Sequence, residues 1–185
     1  MRCSRTVITA ALLFAVACQG ALLTLVLDRS AETTVEAGTL LEDLVGDLGF
    51  GDFLNMDLTT ATELENQGVA PGDIQATFLT AFSLETLNPG SDFSFLERME
   101  LYVEAPQLPR VLVASSDDFG QGVTFVDFEV EDVDLTEYLV SASMSLVTEV
   151  TGRRPEQDTR LEAAFSVEVG VTTQGACNAI AGADS

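Results

Sequence analysis

The chain has 185 residues, 46% of them apolar, and sets 30 acidic side chains against 8 basic ones for a formal charge of -22. That length and apolar content support one domain with a substantial core and argue against wholesale disorder. The acidic excess excludes nucleic-acid binding, which depends on neutralising phosphates with Lys and Arg, and opposes direct adsorption to anionic lipid.

Residues 1–18 read MRCSRTVITAALLFAVAC. Arg2 and Arg5 precede an apolar run, Val7 to Phe14, that is too short to span a bilayer, and small residues follow. This is the layout of a secretory signal over 1–17. Ala15-Val16-Ala17 also meets the small-x-small rule of the general signal peptidase, so a periplasmic or secreted soluble chain is one alternative. The letters AVAC resemble the lipobox of bacterial lipoproteins, with Ala15 standing where a larger aliphatic residue is usual. That resemblance implies lipidation of Cys18 and a membrane anchor through the N-terminal lipid. Gln19, rather than aspartate, follows the cysteine, which in that family goes with outer-membrane or cell-surface sorting. A third alternative, an uncleaved span over Thr6 to Leu27, is interrupted by Gln19 and Gly20. Removing the signal takes Cys3 with it. Cys18 and Cys177 remain, and without lipid on Cys18 the two are candidates for a disulfide in an oxidising compartment.

Past Cys18, Ala21 to Leu27 predicts a strand. Leu40, Leu41, Leu44, Val45 and Leu48 fall at helical spacing and predict a short amphipathic helix ended by Gly49 and Gly51. A second helical turn is expected from Thr60, where TATE sets a cap residue three before Glu63, and Pro71 forbids its continuation. From residue 74 the apolar period changes from 3.6 to 2. Phe78, Phe82 and Leu84 alternate with Thr77, Ser83 and Glu85. Met99, Leu101 and Val103 alternate with Glu100, Tyr102 and Glu104, and Val126, Phe128 and Val130 with Asp127, Glu129 and Glu131. Met144 to Val150 and Leu161 to Val171 repeat the pattern. Such two-faced runs are half-buried antiparallel strands. Turn chemistry separates them at Asn88-Pro89-Gly90, Pro106 to Pro109, Ser115 to Gly122 and Gly152 to Thr159. Short helical turns are expected at Asp92 to Leu96 and at Asp134 to Leu139.

About seven strands with short connections predict a mainly β fold. The expected architecture is an antiparallel β-sandwich of jelly-roll or immunoglobulin-like type, with a few short helices. The domain is expected over 18–171, with a partly helical insertion around 38–68 and a loosely ordered C-terminal tail at 172–185. The stretch SDFSFLERMELYVEAPQLPRVLVA through VDFEVEDVDLTEYL resembles a group of uncharacterised exported lipoproteins of Gram-negative bacteria. The resemblance covers about 74–171 and implies the sandwich and the export. The group has no known activity to carry over.

The absent residue types restrict the chemistry further. With no histidine there is no Ser-His-Asp or Cys-His couple, and with no lysine no Ser-Lys pair, Schiff base or P-loop. Zinc, haem and iron-sulfur sites lack ligands, so no cofactor is expected apart from calcium. An enzyme would have to work with carboxylates alone, as glycosidases do. The densest acidic stretch is DFEVEDVDLTE. Within it Asp132, Asp134 and Glu137 sit at a strand exit, and Asp117 and Asp118 lie in the preceding turn; these five are the candidate calcium ligands. GFGDF at 49–53 is a turn and not a nucleotide loop, since it follows a helical pattern and lacks a third glycine in place. Arg153 and Arg154 in GRRPEQD are the only paired basic residues and the candidate contacts for an anion.

The expectation is therefore a non-enzymatic cell-envelope lipoprotein, a binding or structural module with a protein or glycan partner. A calcium-dependent adhesion or carbohydrate-binding module and a carboxylate-only hydrolase are the alternatives.

Overall fold

The computed structural model describes residues 23–38, 43–46, 69–141 and 144–172, with the backbone alone at 43–46. The signal segment with Cys18, the GFGDF turn, the expected helical turn from Thr60 and the tail with Cys177 lie outside the described residues.

Alternation in the sequence becomes alternation in burial. In β4 (Leu96–Glu104) Leu96, Met99, Leu101 and Val103 are buried while Glu97 and Arg98 are exposed. In β9 (Thr159–Val171) every second side chain from Thr159 to Val171 points inward. β3 (Ile74–Thr86) departs from the expected phase in its first half: bulges at 74/76 and 79/81 turn Thr77 and Leu79 inward and leave Phe78, expected inward, only half-buried, and the expected phase resumes at Phe82 and Leu84. β1 runs from Leu23 to Val35, well past the end expected at Leu27. Asp28, Ser30 and Glu32 do not stop it, because they occupy the outward positions of an edge strand. β5 (Val111–Ser116) opens on the continuous apolar run VLVA, which has no alternation to announce it.

The remaining strands are β2 (Asp43–Gly46), β6 (Phe125–Asp127), β7 (Glu129–Val130) and β8 (Ser145–Arg153). One sheet has the order β1-β9-β3-β6 and the other β2-β8-β4-β5-β7. All neighbouring pairs are antiparallel. β6 and β7 belong to one continuous run that leaves the first sheet at Phe128 and joins the second. Counting that run as one strand, the first pairs with the last, the second with the next to last, the third with the sixth and the fourth with the fifth. That is one long antiparallel ribbon rolled onto itself, the jelly roll. An immunoglobulin sandwich instead pairs its first strand with its second. The core lies between the sheets and is built from their inner faces, with Leu84, Phe93, Met99, Val103, Leu161 and Val169 fully enclosed.

Three expected helices resolve differently. The 40–48 helix is contradicted over its described part: Asp43–Gly46 is strand β2, paired to β8 from Asp43↔Arg153 to Gly46↔Val150. The same leucines satisfy a helical period, but β8 offers an open ladder of backbone donors and acceptors, and tertiary pairing outranks local propensity. Asp92 to Leu96 holds the expected short turn. Leu96 N–H closes it onto Phe93 O at 3.0 Å, and Leu96 already opens β4. The third expectation holds as a short helix, α1 (Thr136–Leu139). Its buried Tyr138 and Leu139 cover one end of the sandwich, and Tyr138 Oη donates to Pro109 O at 2.7 Å.

Candidate functional site

In this topology residues 36–38 after β1 and the β3–β4, β5–β6 and β8–β9 loops meet at one end of the sandwich, and hydrogen bonds tie them together. Asp158 Oδ1 accepts from Ala37 N–H at 2.8 Å, and Pro155 O accepts from Gly38 N–H at 3.1 Å. Asn88 Oδ1 accepts from Arg160 N–H at 2.6 Å, and Asp92 Oδ2 accepts from Gly122 N–H at 2.7 Å. The turn at Asn88-Pro89-Gly90 depends on Gly90, whose φ of 83° falls in the left-handed region.

Between the β3–β4 and β8–β9 loops lies a cleft of about 290 Å³, lined by Ser91, Asp92, Ser94, Arg153, Arg154 and Gln157 among others. Both candidate anion contacts are thus brought into one cavity. Gly152 sets their position. Its Cα faces Leu96 across the ladder, and a Cβ there would lie 2.3 Å from Phe95 O. The close approach lets Arg153 N–H donate to Phe95 O at 2.7 Å, which fixes where the two arginines leave β8. Arg154 Nη1 donates to Glu36 O at 3.4 Å, and Gln157 Nε2 to Ser91 Oγ at 3.4 Å.

Asp92 lines this cleft with both oxygens engaged: Oδ1 accepts from Ser94 N–H at 3.0 Å while Oδ2 holds Gly122. The hydrogen bond from the Ser94 side chain, followed by the N–H groups of Gly122 and Ser94, holds its carboxyl below the usual aspartate range. A carboxylate so committed is a loop brace and not a proton donor.

The five candidate calcium ligands are not brought together. Asp117 and Asp118 follow the end of β5 at the loop end, whereas Asp132, Asp134 and Glu137 follow β7 toward α1, at the opposite end of the β5–β7 ladder. Among the described residues no three acidic or thiol side chains gather as a metal would need. Asp134 serves α1 instead, with Oδ1 accepting from Thr136 N–H at 2.9 Å, Thr136 Oγ1 at 2.5 Å and Thr77 N–H at 3.4 Å. Burial pushes its carboxyl up, and the Thr136 and Thr77 bonds outweigh this and hold it below the usual range.

Two other cavities are poorer candidates. Under α1 an inter-sheet space of about 20 Å³, lined by Leu79, Leu135, Leu139 and Phe165, has room for about one water. The buried Thr77 Oγ1 beside it has no hydrogen-bond partner. A shallow trough on the outer face of β1, β9 and β3 is floored by Ser83, Ala164 and Ser166, and its Asp28 already takes the Ser166 hydroxyl. The sequence singled out the arginine pair but not Ser91, Ser94 or Gln157. These are ordinary turn residues whose only forewarning was Gly152 directly before the arginines.

No known family and no curated protein matches the chain. Among solved structures it is similar to the decameric BFDV capsid protein at 9% identity, covering 80% of this chain and 98% of that chain, with a TM-score of 0.36. A likeness of that size carries no reading of function.

Proposed function

We propose that this chain is an exported, non-enzymatic cell-envelope lipoprotein, anchored through lipid on Cys18, whose jelly-roll domain is a binding module that presents its loop end outward. The observation that carries the reading is AVAC at the end of a basic-then-apolar leader. The start of β1 at Leu23, close behind Cys18, supports a domain held near its membrane. Lipid anchoring also fits the charge, since a protein of -22 needs a hydrophobic attachment to stay at an anionic surface. Among the described residues no helix is long and apolar enough to cross a membrane.

The calcium-dependent alternative loses support because its five carboxylates sit at opposite ends of a ladder. A carboxylate hydrolase in the cleft would draw on Asp92 and Glu156, and Asp92 is committed to backbone donors.

Replacing Cys18 by Ser in a bacterial expression host tests the anchor. The unmodified chain is expected to incorporate radiolabelled palmitate and to sediment with membranes. The Cys18→Ser chain is expected to lose the label and appear in the soluble fraction. Membrane retention of the unlabelled variant, or no labelling of the original, would overturn the proposal.

A further inference from the structure

The ion-pairing pattern of the arginines points to what the loop-end cleft holds. Acidic residues outnumber basic ones 30 to 8, so an arginine placed at random on this surface meets a carboxylate. Arg98 pairs with Glu100 at 2.7 Å, Arg160 pairs with Glu32, and Arg110 pairs with both Glu104 and Glu149 at 3.4 and 2.6 Å. Arg110 is further occupied by the Tyr102 ring, 3.8 Å from its guanidinium. Arg153 and Arg154 depart from this pattern. Among the described side chains neither has a carboxylate within ion-pair distance, although Asp92 and Glu156 line the same cleft. Asp92 is turned to Ser94 and Gly122, and Arg154 is oriented by the Glu36 carbonyl with its remaining N–H donors uncommitted.

From this we infer that the cleft binds an acidic sugar residue: Arg153 and Arg154 take its carboxylate, and the hydroxyl and amide side chains of Ser91, Ser94 and Gln157 take its hydroxyl groups. The inference rests on the reading of the domain as a binding module and names the ligand class for it. A guanidinium fork matches a carboxylate in two parallel hydrogen bonds, which is where arginine is preferred over a point charge. The ligand carries one charge. Two arginines balanced by Asp92 and Glu156 leave no local positive excess, and the surrounding field of a -22 protein repels multiply charged anions. The size and lining agree, since a cleft of about 290 Å³ takes one hexose ring with a few placed polar groups around it. The loops are already tied by Asp158, Asn88 and Asp92, so binding costs little ordering.

The test is calorimetric titration of the full-length protein in detergent micelles with glucuronate, glucose and inorganic phosphate as probes. Expected are saturable glucuronate binding that weakens with added salt, and no binding of glucose. The Arg153→Gln, Arg154→Gln double variant is expected to bind glucuronate at least about ten-fold more weakly. Arg98→Gln, outside the cleft, is expected to bind unchanged. Arg153→Lys, Arg154→Lys keeps the charge and removes the fork, and an intermediate loss is expected. Absence of saturable glucuronate binding, a double variant that binds as the original does, or phosphate bound as tightly as glucuronate would each overturn the assignment. Cys18→Ser fractionation reports on envelope anchoring alone, so failure of either idea is read separately.

Discussion

Asp92 and Asp134 are carboxylates that brace the fold through backbone donors. Each accepts hydrogen bonds from two backbone N–H groups: Asp92 from Ser94 and Gly122 in turns, and Asp134 from Thr136 and from Thr77 of β3. Each has its folded pKa held below the ordinary value. A carboxyl depressed in this way contributes its full stabilisation above an unfolded pKa of about 3.9 and loses it as pH falls through the folded value. Asp92→Asn, which cannot ionise, is therefore expected to lower unfolding free energy by about 1 kcal/mol at neutral pH. The gap to the original chain is expected to narrow as pH falls below about 4, through the depressed folded value. Urea midpoints across that range check it, and a gap that stays constant with pH would count against it. Loss of bulk repulsion on acidification affects both chains, so the difference between them is the quantity to follow.

At the scale of elements, the run from Phe125 to Val130 does the most with the fewest residues. Ser83↔Asp127 pairs it to β3 in one sheet and Ser115↔Glu129 pairs it to β5 in the other. Strands that change sheets close the corner of a sandwich. Phe128 is the residue at the crossing. Its N–H donates to Phe82 O at 3.0 Å, and its ring meets Phe82 edge-on at 4.7 Å and Phe119 at 6.1 Å. Phe119 continues the chain of rings to Phe93 at 5.7 Å. Phe128→Ala is expected to cost about 3–5 kcal/mol, as large-to-small changes in a packed aromatic core do. Chemical denaturation gives the value, and a loss under about 1 kcal/mol would show that the corner is not packed as described. The plain alternation of VDFEV was legible in the sequence; the change of sheet at Phe128 was not, because inward and outward positions continue unbroken through the bend. β2 escapes the sequence pattern for a related reason. Asp43-Leu44-Val45-Gly46 carries no alternation of its own, and only pairing to the edge of β8 makes it a strand.

For the molecule as a whole, charge is the dominant surface property. Carboxylates so outnumber arginines that most have no cation to meet, and self-repulsion opposes the compact state. The exposed ion pairs are screened and contribute little. Raising salt from about 10 mM to about 0.5 M shortens the screening length from about 30 Å to under 5 Å. The melting temperature is therefore expected to rise with salt. A fall on the same change would mean that ion pairs outweigh repulsion in this fold.

The covalent chain by itself determined the fold class, the turn positions, the exclusion of histidine- and lysine-based chemistry and the one pair of adjacent arginines. Each of these follows from residue type or from a period of two, which are local properties. Tertiary structure alone decided the rolled order of the strands, the opposite placement of Asp117 and Asp134, and the meeting of Arg153 with Ser91 and Ser94 in one cleft. Those depend on which edges pair across long separations, as when Leu96 meets Gly152, and a contact of that kind leaves no periodic trace in either segment.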